Sequence, residues 1–144
     1  MEWHNGNFLV TTDVARFDVT AIHAYLSQES YWARNISFDL VEKSVENSLS
    51  FGLLDAGKQI GFARVVTDRA TYAYVMDVYV LQSHRRRGLA TWMIKCVLAH
   101  PDLQGLRKLS LSTRDMHALY RKFGFSGLEH PDRAMELRVV RRYA

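Results

Sequence analysis

The sequence predicts a mixed α/β fold: a mostly antiparallel central sheet with one parallel β-α-β crossover and helices on both faces. Three observations carry this expectation. A Val/Tyr-rich run from Tyr72 to Leu81 is followed by a helical repeat from Gly88 to about His100, then by a short apolar run from Leu106 to Leu111, the order of a crossover. Two further apolar runs, Ser50 to Asp55 and Gln59 to Thr67, flank Ala56-Gly57, a tight-turn signal that makes them a hairpin. Prolines stand only at 101 and 131, and no low-complexity stretch divides the chain. Residues 1–144 therefore read as a single domain, long enough to bury a core.

The elements follow in order. Phe8 to Thr12 is the first strand. Asp18 caps a helix that carries Val19, Ile22, Tyr25 and Leu26 on one face. Asp39, with Glu42 three residues on, opens a second helix that runs to about Asn47. The hairpin and the Tyr72–Leu81 strand come next. The helix after them repeats Leu89, Met93, Ile94, Val97 and Leu98 at helical spacing, and Pro101 ends it. After the Leu106–Leu111 strand, Asp115 to Phe123 forms a short helix closed by Gly124. Ala134 to Val140 is expected as a last strand. The order is β-α-α-β-β-β-α-β-α-β.

Composition excludes several classes. Every apolar run is broken well before about eighteen residues, so no membrane helix is expected. Met1-Glu2-Trp3-His4 lacks a basic region leading into an apolar stretch, so no secretory leader is expected. A single cysteine, Cys96, allows neither a disulfide framework nor a cysteine zinc site within one chain. Its neighbours Ile94, Val97 and Leu98 suggest a small buried hydrophobe. The six histidines show no metal spacing such as H-E-x-x-H, so no metal is expected. These features point to the cytoplasm. The net charge of +4 is concentrated in Arg85-Arg86-Arg87 and in Arg138, Arg141 and Arg142, which implies an anionic partner.

The first cluster has the stronger context. Val80-Leu81-Gln82-Ser83-His84-Arg85-Arg86-Arg87-Gly88-Leu89-Ala90-Thr91 reads as a strand end, a short basic loop and a helix start. Free N–H groups at a helix start, reinforced by the helix dipole, attract anions. Gly88 and Ala90 leave a phosphate room to approach the backbone. The loop lacks the three glycines of a dinucleotide fold and the Gly-Lys-[Ser/Thr] of a P-loop. An ordinary helix start with solvated arginines is the other reading.

Arg85-Arg86-Arg87-Gly88-Leu89-Ala90 matches [QR]-x-x-G-x-[GA], and Leu119-Tyr120-Arg121-Lys122-Phe123-Gly124-Phe125 follows about thirty residues later. Between them lie one helix and one strand. Together with Asp77-Val78-Tyr79-Val80 upstream, these segments resemble the signatures of the GNAT superfamily of N-acetyltransferases, over roughly Leu53 to Leu137. The resemblance implies a GNAT-like sheet with a splayed parallel pair, and acetyl-CoA as co-substrate. The donor pyrophosphate would lie on Arg85, Arg86, Arg87, Gly88, Leu89, Ala90 and Thr91, and its pantetheine arm along Val78, Tyr79 and Val80. It also implies Tyr120 as general acid to the leaving thiolate, beside its contact with the donor; without the motif, Tyr120 is a packed helix residue. The family often carries Asn seven residues ahead of that tyrosine. Thr113 stands there, able to contact the donor or cap the helix, and Arg114 is within reach of a donor phosphate.

The acceptor is expected to be an amine, small or protein-borne. Asp77, an acid inside a Val/Tyr strand, alternates with Val75 and Tyr79. It could deprotonate the acceptor, bind a cationic acceptor, or pair with an arginine. Tyr31 and Trp32, with Glu29 close by, either line the acceptor site or pack down on the core. His117 reads as a surface or capping residue. A homodimer is compatible with the sequence, and neither a nucleic-acid partner nor a membrane is expected. The rival readings are a basic nucleic-acid-binding module, since Arg85-Arg86-Arg87 would suit phosphates generally, and a non-catalytic CoA sensor.

Overall fold

The computed structural model describes residues 1–144. Its sheet has six strands in chain order. A hairpin of β1 (Glu2–Asn5) and β2 (Phe8–Thr11) turns at Gly6 (φ 60°), and β2 pairs with β3 (Leu49–Asp55). The expected hairpin is β3 with β4 (Lys58–Thr67), and β5 (Tyr72–Val80) follows antiparallel to β4. β6 (Lys108–Leu111) closes the order and runs parallel to β5.

Helices cover both faces. α1 (Val19–Ala24) is capped by Asp18, which accepts the Ala21 N–H at 3.0 Å, and it continues as one π turn, Tyr25–Glu29. α2 (Phe38–Glu46) starts from a Ser37 cap rather than from Asp39, which lies in its first turn. The two pack Ile22, Leu26, Val41 and Val45 with Phe62 and Tyr79 on one face of the sheet. α3 (Leu89–Ala99) places Leu89, Met93, Cys96 and Val97 against Val10, Phe51, Leu53, Val65 and Val75 on the other. Cys96 is buried there, and burial pushes its thiol up to about 11, far from a reactive thiolate. The short α4 (His117–Arg121) adds Leu119 and Tyr120 against Ile94 of α3.

One irregularity shapes the site. In the β4–β5 ladder Phe62 faces Tyr79 but Arg64 faces Met76, so Asp77 and Val78 together oppose Ala63. This is a β-bulge with Asp77 in the left-handed region (φ 54°). The extra residue reverses side-chain parity. Val75 joins the α3-side core, whereas Tyr79 joins the α1–α2 side. The alternation expected from the sequence, with Val75, Asp77 and Tyr79 on one face, is therefore broken at Asp77.

Two other expectations are corrected. Glu2–Asn5 is a strand that the sequence reading missed, because only Trp3 of its four residues turns inward. The strand expected at Ala134–Val140 does not form. That segment is irregular, and Met135, Leu137 and Val139 are 97%, 88% and 82% exposed. Alternating apolar residues suit an edge strand, but no strand of this chain lies against them. No helix is long and apolar enough to cross a membrane.

Candidate active site

The parallel pairing of β5 and β6 runs from Tyr72↔Lys108 to Val75↔Leu111 and stops there. Beyond Val75 the bulge turns β5 away, and the two strands open into a wedge. The Leu81 N–H donates to Ile60 O of β4 at 2.8 Å, so by alternation Val80 and Val78 present their N–H groups to the wedge side. A cleft of about 610 Å³ occupies this opening, the size of a small-molecule site.

One end of the cleft is the start of α3. Gly88, at φ 74°, is the N-cap and supplies no capping side chain, so the first-turn N–H groups of α3 keep no capping partner. A Cβ built on Gly88 would meet nothing within 4 Å, so the space beside the Gly88 backbone is open. The three arginines differ in use. The Arg85 side chain staples the loop, donating from Nε to Val80 O at 2.9 Å and from Nη2 to the Tyr25 hydroxyl at 3.1 Å. The Arg87 guanidinium stacks 5.1 Å over the Phe8 ring, outside the cleft lining. Arg86, in the left-handed region at φ 62°, lines the cleft. His84 also lines it, held by Asp55 through Nε2 at 2.9 Å and by the Ser83 hydroxyl through Nδ1 at 2.7 Å.

The other end is aromatic. Tyr25 stacks on Tyr79 with centroids 3.7 Å apart. Tyr31 and Trp32 meet edge to face at 5.0 Å, and each remains about two-fifths exposed (45% and 40%) toward the cleft. Of the two placements open to this pair, lining and core packing, the structure has lining. Tyr120 projects from α4 into the same space. It is 7% exposed, and burial first, then the nearby Tyr31 phenol, pushes its pKa up to about 12. Its hydroxyl has no hydrogen bond within the protein. No buried polar side-chain atom lacks a partner, so that hydroxyl opens to the cleft.

Fourteen residues expected at a site therefore converge: Glu29, Tyr31, Trp32, Val78, Tyr79, Val80, Arg85, Arg86, Gly88, Leu89, Ala90, Thr91, Arg114 and Tyr120 all line one cleft. Three do not. Arg87 is on Phe8. The Thr113 hydroxyl accepts the Met116 N–H at 3.1 Å, capping α4. Asp77 lies behind the bulge, where Oδ2 accepts from Arg64 Nε and Oδ1 from Trp32 Nε1, both at 2.8 Å. Of the three roles open to it, pairing with an arginine is the contact observed. Tyr25, His84, Asp115, Met116, Leu119 and Lys122 line the cleft without having been expected. The periodicity that placed Tyr25 on the apolar face of α1 concealed it. No group of three or more His, Cys, Asp or Glu side chains is placed to hold a metal.

A sequence profile of the acetyltransferase (GNAT) family matches residues 19–125. The chain belongs to the GNAT family. A GNAT-family protein of Xanthomonas campestris, known from its crystal structure, is 44% identical over 93% of this chain and 94% of its own, with a TM-score of 0.90. A Gibberella zeae protein with a provisional acetyltransferase name is 32% identical, covering 83% of this chain and 79% of its own. A Clostridium acetobutylicum acetyltransferase, solved with acetyl-CoA, shares the fold at 17% identity (TM-score 0.68; 91% and 94% of the two chains).

Proposed function

We propose that this protein transfers the acetyl group of acetyl-CoA to a primary amine by direct attack in a ternary complex. The observation that carries the reading is one continuous cleft joining three parts: uncapped helix donors, a strand edge with free N–H groups, and an unpartnered tyrosine hydroxyl. The residues present fit the donor. The open space over Gly88 accommodates a pyrophosphate, with the α3 N–H groups and Arg86 as its donors. The β5 edge at Val78 to Val80 offers backbone partners to an amide-bearing arm. An N–H of the same edge stabilises the carbonyl oxygen as negative charge develops on it.

Acetyl-CoA supplies the activated thioester. As the amine nitrogen bonds to the carbonyl carbon and the C–S bond breaks, the sulfur gains the electron pair. Tyr120 then donates its hydroxyl hydrogen toward that sulfur. A phenol at about 12 is a weaker acid than an ordinary tyrosine, whereas a thiol titrates near about 8.5. Full transfer runs against that gradient, so Tyr120 acts chiefly as a hydrogen-bond donor while the charge forms. The acceptor nitrogen must lose protons before and after attack. Glu29 and Asp115 are the carboxylates that line the cleft, and Glu29, next to the Tyr31-Trp32 segment in the chain, is assigned that task, directly or through water.

The test is thiol release from acetyl-CoA across a panel of amines, with the acetylated product identified by mass spectrometry. Amine-dependent release supports the transferase. Tight CoA binding with no amine-dependent release across the panel would favour a non-catalytic CoA sensor.

A further inference from the structure

Tyr31 and Trp32 do more than line the cleft, because each is tied to a different side of the wedge. The segment leaves the π turn at Ser30, a buried residue whose hydroxyl donates to Leu26 O at 2.6 Å and accepts the Ala33 N–H at 3.0 Å. From that anchor the Trp32 indole N–H reaches Asp77 on β5 at 2.8 Å. The Tyr31 hydroxyl accepts the Arg114 N–H, on the loop after β6, at 3.0 Å, and the Arg114 guanidinium lies 3.9 Å over the Tyr31 ring. The dipeptide therefore spans the gap left where β5 and β6 part.

Asp77 is well built to hold one end. Its side chain is 8% exposed, and the Arg64 partner is 12% exposed. Arg64 in turn donates from Nη1 to Ser48 Oγ at 3.0 Å. A charge-assisted acceptor of this kind is roughly twice as strong as a neutral one. The left-handed backbone at Asp77 persists only where surroundings over-determine it, and the ion pair supplies that restraint.

We infer that Tyr31-Trp32 is a strap pinned across the mouth of the wedge and fixing how the acceptor reaches the thioester, with Asp77 and Arg64 as positioning residues acting through Trp32. The inference rests on the transferase reading above and names the part of the site that selects the acceptor. The indole N–H is committed to Asp77 and the Arg114 guanidinium covers one face of Tyr31, so the acceptor meets the Trp32 ring, the uncovered part of the Tyr31 ring and the Tyr31 O–H, which accepts from Arg114 but remains free to donate. The acceptor class is then an amine borne on an apolar or aromatic body, with Glu29 beside it.

The experiment uses Trp32→Phe, Tyr31→Phe, Asp77→Asn and the Trp32→Phe/Asp77→Asn double variant of the full chain. The indole N–H resonance of Trp32 is identified by its loss in Trp32→Phe. In Asp77→Asn its hydrogen exchange should quicken about tenfold, the loss of one charge-assisted bond. With phenethylamine, spermidine and lysine amide as probe amines, phenethylamine should be the best acceptor. Its KM should rise about fivefold or more in each of Trp32→Phe and Asp77→Asn, and the double variant should be no worse than the larger single effect. The CoA dissociation constant should stay within about twofold throughout.

Unchanged indole exchange in Asp77→Asn, additive KM losses, or donor affinity falling in step would overturn the strap. If Asp77→Asn does not fold, Trp32→Phe and Tyr31→Phe decide: both must raise the acceptor KM with donor affinity kept. If CoA binds but none of the probe amines is acetylated by the parent, the reaction assignment fails, and indole exchange alone decides the strap.

Discussion

Replacing Tyr120 with Phe removes one oxygen and keeps the ring among Ile94, Leu119 and Phe125. The hydroxyl bonds to nothing in the protein, so no partner is orphaned, and stability should change by less than about 0.5 kcal/mol. The chemical cost is set by the acid's strength. General acid help is worth about 10²–10⁴-fold. A phenol raised to about 12 gives a hydrogen bond rather than a full proton, which places the loss near the low end, about 10²-fold in kcat. The assay is thiol release at saturating donor and amine, with CoA affinity by calorimetry and Tm on the same preparation. Donor affinity should hold, and the loss should shrink with a more acidic leaving thiol. Because Tyr120 stays protonated well beyond neutral pH, it should impose no falling limb on the rate below about pH 10. A variant that folds normally and turns over within about threefold of the parent would refute the role. Water would then protonate the sulfur, leaving Tyr120 a packing residue.

Gly88→Val forces a β-branched residue to φ 74° and projects its side chain into the open cradle; CoA binding should weaken at least about tenfold, read by calorimetry. Gly88→Asn tolerates the left-handed backbone and separates blockage from misfolding. Arg85→Gln cuts the ties to Val80 and Tyr25 and should raise the donor KM about fivefold, with kcat less affected. Burial lowers the His100 pKa below its ordinary 6.5, so the unfolded chain binds more protons and Tm should fall as pH drops below 6.5. Burial raises Tyr79 and Tyr120 above the usual 10, so the folded chain holds protons longer. Stability should therefore fall as pH climbs from about 10, and Tyr120→Phe should flatten part of that slope in a thermal-melt series.

The end of the cleft proposed for the donor was legible in the sequence because its determinants are local. A strand, a loop and an uncapped helix start occupy one continuous stretch, and Gly88 occupies the position where a side chain would obstruct. The role proposed for Tyr120 needed a resemblance, since nothing in Leu119-Tyr120-Arg121 separates a catalytic phenol from a packed one. Asp77 shows the limit on the acceptor side. Alternation assumes two residues per repeat, and a single inserted residue defeats it. The partner Arg64 lies on another strand and Trp32 lies 45 residues away, so neither contact has a local signature. Arg87 fails for a similar reason: Phe8, which draws it off, belongs to the distant first hairpin.

The bulge at Asp77 also governs what this strand tolerates. Side chains from Tyr72 to Val75 follow one phase and those from Val78 onward follow the other. Deleting a single residue between them would send Tyr79 toward the α3 layer and lift Val80 off it, exchanging the contents of two cores at once. Substitution cannot reproduce that change, because it alters a side chain without moving the phase. Tolerance at positions 76–78 should thus divide by the kind of change: replacements that keep the left-handed backbone at 77 and a partner for Arg64 survive, whereas a one-codon deletion unmakes both the cleft and the layers behind it.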